Sequence, residues 1–559
     1  MKKEILIIPA AGKATRMMPL SSSMSKAMIP VAGQPILSHI IESTKDYVDS
    51  VVVVTGRLTD IDNFLDKKKY KNVTSIEQYP DMAGPLGAIY TGIHSLPLDV
   101  IENSNITIWL GDTLINNPDD IKDIFNKSGK NSMYLGAATV PDWSRWCMYS
   151  EKTNTLYDKP ESQPPTDKAL IGIYRFTNLK PKSMFNNIID VIDNIAYDNE
   201  NYENYSELEI SKLINEYSDV TPKCPVSLIN LTESWTDCGD LPSLYLANSK
   251  MISNGARAHN NIRIEHGIVY KTSSNHNFEV KWYEAFDKNM KLRSLIPQYY
   301  GECGKYGEEY AIELCSGHTL QELVLYHNIN RKDVWKTIVD TVLNRMYNMH
   351  TNTNGLDPRA IDNSSSYNYH MFLENISNRF MEANQSGLFT DTEHGLFLDL
   401  LNESYNKIYS GTYRWPHLPS DASFPTQSLY THGDLHFANI FFDAATNKVK
   451  FIDPRGGYDY RATTMGNPLY DLAKFYQSII GHYCHISSDE EISDNDIKIY
   501  DMLEEIINEK LIQLGYSLEE VKLAQNYSIL LLLSAIPCHY DNPERQERMK
   551  QRALTLIAD

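Results

Sequence analysis

THGDLHFANIFFDAATNKVKFIDPRG, residues 431–456, sets the reading of the second half of the chain. Asp434 follows His432 and Gly433 at the end of an apolar approach, Leu429-Tyr430. Asn439 comes five residues later, and Asp453 closes a hairpin-like run from Phe441-Phe442 to Phe451-Ile452. That is one candidate base and two candidate metal ligands. Moving the γ-phosphoryl of ATP to an alcohol takes a carboxylate that orients the hydroxyl and accepts its proton, with an amide and a second carboxylate to hold Mg2+ against the phosphates. A polar loop with a capping Asp is the plainer alternative; the joint spacing weighs against it.

His432-Gly433-Asp434, His436, Asn439 and Ile452-Asp453-Pro454 resemble the aminoglycoside phosphotransferase and choline kinase family, relatives of protein kinases. The resemblance implies that Asp434 is the catalytic base and that Asn439 and Asp453 carry metal. Asn467-Pro468-Leu469-Tyr470-Asp471-Leu472-Ala473 continues the pattern, as a helix start packing under the loop. Upstream, Lys271 resembles the strand lysine that holds the α/β phosphates of ATP. A helix over 278–286 offers Glu279 or Glu284 as its partner, and Glu284 is placed with the nucleotide site. No glycine-rich loop precedes Lys271. A strand over 310–314 links the lobes, and backbone near Glu313 and Cys315 reads adenine. Arg455 meets a charged substrate or makes a structural ion pair, and the second is favoured because buried arginines are normally paired.

The first half opens on a buried-strand pattern, Ile5-Leu6-Ile7-Ile8, running into Pro9-Ala10-Ala11-Gly12-Lys13-Ala14-Thr15-Arg16. A strand followed by a small-residue loop lets backbone N–H groups approach phosphates, and Arg16 can neutralise them. With Ser25-Lys26-Ala27-Met28-Ile29-Pro30-Val31 and Gly33, this resembles the sugar-nucleotide pyrophosphorylase and phosphocholine cytidylyltransferase family, over roughly the first 250 residues. Two positions depart from the family pattern: Ala14 where a second glycine is common, and Ser25 where proline is usual. By the same resemblance, Ala11, Gly12, Gln78, Gly84 and Gly87 form the nucleotide site. Asp112 and Asp237, in Trp235-Thr236-Asp237-Cys238-Gly239, hold Mg2+. Arg16 meets the β/γ phosphates and Lys26 the α-phosphate. Lys159 contacts the phosphate of the acceptor. Trp143 and Trp146 cage a quaternary ammonium or pack a loop over the sheet, and Arg145 greets a charged substrate group.

At 559 residues the chain exceeds what one core usually supports. A net charge of −20 argues against nucleic acid or an anionic membrane as the main partner, so phosphates must be met by local basic residues. Seven cysteines without metal spacing read as free thiols in a reducing, cytoplasmic setting. The start of the chain does not read as a signal peptide, and the apolar run near 529–536 reads as a buried helix rather than a membrane span.

The expected architecture is α/β: a Rossmann-like nucleotidyltransferase domain over 1–253, ended by a helix break at Ser253-Asn254-Gly255, then a bilobal kinase-like phosphotransferase domain over 254–559. The expected activity is bifunctional. ATP phosphorylates a small alcohol, a sugar or polyol with choline as the alternative. The phosphate is then joined to a nucleotide from CTP, UTP or GTP with release of pyrophosphate, supplying a donor for surface polysaccharide or lipid. A nucleotide-sensing scaffold without catalysis is a rival, and antibiotic inactivation is a third reading that leaves the first half unexplained. The identity of the alcohol, the NTP and the oligomeric state stay open.

Overall fold

The computed structural model describes residues 2–558 apart from 13, 19–20, 22–23, 83, 129–131, 154, 178–213, 215–225, 256–259, 266, 306, 328, 353–365, 410–428, 445 and 459–460. Lys13 of the first motif therefore lies outside the described residues. The chain divides into two units, Met1–Gly255 and Ala256–Asp559.

Strand β1 (Lys3–Pro9) is the centre of the first unit. Ile5, Leu6, Ile7 and Ile8 are all fully buried, as expected of a parallel strand covered on both faces. Burying each such side chain contributes about 1.5–3 kcal/mol. β1 pairs in parallel with β2 (Ser50–Thr55) on one side and β4 (Ser104–Trp109) on the other, and β3 (Val73–Glu77) continues beyond β2. Past β4 the sheet turns antiparallel through β9 (Lys168–Thr177), which pairs with β6 (Ser132–Thr139) and, through Ala169, with β7 (Cys147–Ser150); β8 (Thr155–Asp158) pairs with β7. Strand β10 (Val226–Asn230) lies parallel to β6. Helix α1 (Gly84–His94) packs on the central strands and places Gly92 against Ile7 and Val54. A separate two-strand ladder joins β5 (Thr113–Ile115) to β11 (Trp235–Asp237). Helix α2 (Leu241–Gly255) ends the unit; it runs through the Ser253-Asn254-Gly255 stretch read as its break.

The second unit begins with an antiparallel sheet in the order β12 (Asn260–Glu265), β13 (Ile268–Ser273), β15 (Glu309–Glu313), β14 (Tyr299–Cys303). Helix α3 (His276–Lys288) packs against it and buries Glu279, Val280, Trp282, Tyr283 and Phe286 on one face. A smaller sheet joins β16 (His318–Thr319), β17 (Ile440–Asp443) and β18 (Lys448–Phe451). Among the helices that follow are α4 (Leu469–Ile479) and α5 (Leu518–Ala535), which pack together. The segment Leu518–His539 is long and apolar enough to cross a membrane by length and composition, yet most of it is buried inside this unit. A capping box of Ser517 and Glu520 starts α5, which forms a core helix here.

Candidate functional sites

In the first unit the candidate residues gather at the carboxyl ends of the parallel strands, where open α/β sheets bind ligands. β1 delivers Ala10-Ala11-Gly12, β3 delivers Gln78 and β4 delivers Gly111-Asp112. The Ala10 N–H donates to the Val54 carbonyl at 2.8 Å and the Gly111 N–H to the Pro9 carbonyl at 3.3 Å, which ties the loop ends together. Ala14 has a φ of 49°, in the left-handed region. Alanine occupies a conformation that glycine adopts at no steric cost, which explains why glycine is common there. Ser25 has an equally local reason. Its N–H and hydroxyl both donate to Asp60, each at 2.6 Å, and a proline could do neither.

Asp112 and Asp237 meet through the β5–β11 ladder. Thr113 pairs with Asp237, and the Cys238 N–H donates to the Asp112 carbonyl at 2.8 Å. Burial, then the Asp112 charge, raises the Asp237 pKa, while the Gly239 N–H at 2.8 Å and Lys26 pull against them. Lys26 reaches Asp112 at 2.5 Å. Two carboxylates and one ammonium thus share a small, half-buried space. The pair fits Mg2+, which takes one or two protein carboxylates and completes its shell with water and phosphate. Among the described residues no cluster of three or more His, Cys, Asp or Glu forms a closed metal cage. Arg16 is exposed, on a short turn of helix.

Gln78 donates its amide to the carbonyls of Met82 and Gly84, the latter at 3.1 Å, and so holds the loop that starts α1. A Cβ at Gly87 would sit 2.4 Å from the Met82 carbonyl oxygen, so only glycine lets that loop close on the helix. Lys159 follows β8 with a φ of 42°, its N–H donating to the Trp146 carbonyl at 3.0 Å. Trp146 stands edge-on to Trp235 at 5.2 Å, and both rings, with Trp143 and Tyr157, pack on Val140, Met148 and Ala169. The guanidinium of Arg145 lies 5.8 Å over the Trp146 ring and pairs with Asp240.

In the second unit, Lys271 of β13 is almost fully buried, between Glu279 at 3.0 Å and Asp453 at 2.9 Å. Burial lowers its pKa, but the two carboxylates outweigh it and the net shift is upward. Ser273 and Tyr310 donate hydroxyl hydrogen bonds to Glu279. Glu284, placed with the nucleotide site from sequence, lies elsewhere: it pairs with Lys288 at 3.6 Å on the solvent side of α3. Five residues turn a helix side chain by about 140° from the starting face, so Glu279 and Glu284 cannot both face the sheet. The N–H groups of Glu313 and Leu314 are spent on the carbonyls of Gln298 and Gly267, each at 2.9 Å.

Asp434 makes an ion pair with Lys474 at 3.0 Å, and His436 stands 3.8 Å away. Burial raises its pKa, but Lys474 and His436 outweigh that and hold the carboxyl well below its ordinary value. Lys474 belongs to α4, one residue beyond the Asn467-to-Ala473 pattern, and a lone lysine in a mostly buried helix is the sequence signal for it. The Asn439 amide donates to the Asp434 carbonyl at 2.9 Å, leaving its oxygen as the ligand atom. Asp453 has a φ of 57°. With Asn439 and Asp453 supplying oxygen donors, this set too fits Mg2+. Asp471, fully buried, accepts from the N–H groups of His432 at 2.8 Å and Gly433 at 2.7 Å and bonds His350 at 3.0 Å. His432 bonds the Ile452 carbonyl through Nε2 at 2.7 Å, and Nδ1 accepts the Asp434 N–H at 3.3 Å. Among the described residues Arg455 makes no ion pair.

Comparison with known proteins bears on the first unit. The chain is 25% identical over 284 residues to the bifunctional protein GlmU of Methanococcus maripaludis, covering 48% of this chain and 62% of that one. It is 29% identical over 189 residues to the UTP–glucose-1-phosphate uridylyltransferase AglF of Haloferax volcanii, covering 31% and 71%. Among solved structures, a UDP-glucose pyrophosphorylase from Acinetobacter baumanii aligns with a TM-score of 0.35 at 18% identity, over 46% of this chain and 95% of that one. The chain spans about three fifths of the length of the GlmU relative. Residues 6–152 match the family model of the MobA-like NTP transferase domain, and it is the N-terminal half that carries the likeness to the sugar-nucleotide pyrophosphorylases.

Proposed function

We propose that the chain is a bifunctional enzyme, in which the second unit phosphorylates a small alcohol with ATP and the first couples the resulting phosphate to a nucleotide. The observation that carries the first activity is the meeting of Lys26, Asp112 and Asp237 at the strand ends. A phosphomonoester oxygen attacks the α-phosphorus of an NTP, the α–β bridging bond breaks, and pyrophosphate leaves. Arg16 neutralises the β/γ phosphates, Lys26 turns from Asp112 to the α-phosphate, and Lys159 holds the incoming anion. Bound at Asp112 and Asp237, Mg2+ would offset charge on the reacting phosphates.

For the second activity the supporting observation is the buried Lys271, Glu279 and Asp453 set beside the Asp434 loop. Lys271 fixes the ATP phosphates, and Asp434 orients the alcohol. The hydroxyl oxygen bonds the γ-phosphorus as the bond to the β–γ bridging oxygen breaks; ADP leaves and the proton passes to Asp434. Lys474 keeps Asp434 ionised for that role. Asn439 and Asp453 would hold Mg2+, which would offset charge on the transferring phosphates.

A sugar-like substrate is favoured over choline, because Arg145 already occupies the Trp146 face that a quaternary ammonium would need. The relatives named for GlmU and glucose-1-phosphate uridylyltransferase support the same choice. A cytoplasmic setting belongs to the same reading, resting on the cysteine spacing in the sequence. The test is a screen of CTP, UTP and GTP against a panel of phosphomonoesters for pyrophosphate release, and of free alcohols with ATP for ADP release. Stoichiometric nucleotide binding without turnover in either assay would replace this reading with the sensing scaffold.

A further inference from the structure

Arg455 follows Asp453-Pro454 directly and lies beside the Asp434 loop. Its N–H donates to the His432 carbonyl at 2.9 Å, and the next residue's carbonyl accepts the Thr463 N–H at 2.8 Å. That next residue, Gly456, has a φ of 65°, and a Cβ there would sit 2.3 Å from the Phe278 carbonyl oxygen. The turn is therefore clamped on both sides, and the backbone of Arg455 has one course. Its stem packs on Gly433, whose Cβ, if present, would lie 2.9 Å from Arg455 Cβ and 2.8 Å from the Tyr367 hydroxyl. Tyr367 feels both the Arg455 and the Asp434 charges.

The residue is half-buried, and among the described residues no carboxylate lies within ion-pair distance of its guanidinium. This is unusual in a chain with 72 acidic and 52 basic residues. Partly burying a guanidinium costs free energy unless an anion meets it. Other site cations are satisfied: Lys271 by Glu279 and Asp453, and Lys474 by Asp434. Among the described residues Arg455 is a cation beside the Asp434 loop with no carboxylate partner, and its fork geometry suits a carboxylate or a phosphate. It packs on the Asp434 side, at Gly433 and Tyr367, whereas Lys271 serves the nucleotide side.

Resting on the kinase reading above, we infer that the alcohol taken by the second unit is itself an anion, and that Arg455 grips its carboxylate or phosphate while Asp434 orients its hydroxyl. The acceptor class is then an acidic sugar, a hydroxy acid or a phosphorylated polyol. A neutral hexose and choline fall outside it.

The experiment compares acceptor pairs that differ only in the anion: a hexuronic acid with its parent hexose, glycerate with glycerol, and glycerol phosphate with glycerol, with choline beside them. ADP release is measured for the wild type, Arg455→Gln and Arg455→Lys. Because the readout is a ratio of kcat/KM within one preparation, loss of folded protein cancels. The wild type should favour the charged member of at least one pair by about 10- to 100-fold, as expected for a charge-assisted hydrogen bond. Arg455→Gln should bring that ratio near one through KM, Arg455→Lys should recover part of it, and KM for ATP should stay fixed. The carboxylate and phosphate pairs tell the two anions apart. A wild-type ratio at or below one overturns the inference, as does a ratio unmoved in Arg455→Gln or a shift in KM for ATP alone; each leaves the kinase reading intact. No ADP release with any acceptor, in protein that still releases pyrophosphate, removes the kinase reading and this inference with it.

Discussion

Asp237 and Asp434 are carboxylates whose surroundings push them in opposite directions. Asp237 is raised by burial and by Asp112. A raised folded-state pKa means that the ionised form works against folding until a cation arrives. Asp237→Asn, which keeps an acceptor for the Gly239 N–H, should therefore raise the melting temperature of metal-free protein by about 2–4 °C while abolishing pyrophosphate release. Calorimetry showing a less stable variant would contradict the electrostatic account. Asp434 is depressed, with Lys474 outweighing burial. Its ion pair adds stability above the unfolded carboxylate's range, and that contribution is lost only as pH falls through the depressed folded value. In Lys474→Met only His436 and His432 are left to oppose burial, so the acid limb of the phosphorylation profile should move towards neutral pH and kcat should fall by about 10- to 100-fold. An unmoved limb would show that Lys474 does not set the charge of Asp434. The sequence displayed Asp434 through its motif, but Lys474 comes to it by way of a helix whose packing no motif encodes. The choice between Glu279 and Glu284 was legible in principle, since Val280, Tyr283 and Phe286 mark the buried face of that helix.

At the scale of elements, each site depends on a segment that touches no substrate in the mechanism above. Helix α4 contributes Asp471, which ties down two successive N–H groups of the His432–Asp434 loop and a buried histidine. Asp471→Ala leaves those groups unsatisfied and should cost about 3–5 kcal/mol of second-unit stability by chemical denaturation. A change below about 1 kcal/mol would mean that the loop holds itself. In the first unit, the three-residue strands β5 and β11 bring Asp112 and Asp237 together. Strand β1 could be read from its apolar run alone, because burial on both faces leaves a continuous pattern. The β5–β11 ladder could not, because pairing between short, distant strands leaves almost no local trace; only the motifs showed that both aspartates belonged to one site.

For the whole molecule, the two sets of site residues lie on either side of the division at Gly255 and Ala256. Fragments ending and starting there should each fold and each retain one activity; aggregation of both would argue for a shared core. In the intact chain, Asp434→Asn given the free alcohol, ATP and the right NTP should make no nucleotide-linked product, and adding the phosphorylated alcohol should restore it. Asp112→Asn should accumulate the phosphomonoester instead. If no single compound serves both halves, the sequential reading fails. The strong acidity of the chain, visible in its composition, leaves phosphate recognition to a few basic side chains, and in the proposed function these include Arg16, Lys26, Lys159 and Lys271.

Cys238, wedged between Asp112 and Asp237, is fully buried, and burial followed by those two charges drives its thiol far above the ordinary range. A thiol that stays protonated is a poor nucleophile. Maleimide or iodoacetamide should therefore spare Cys238 in the closed protein and modify it only when the β5–β11 ladder parts, so its alkylation rate is a built-in clock for how often Asp112 and Asp237 come apart.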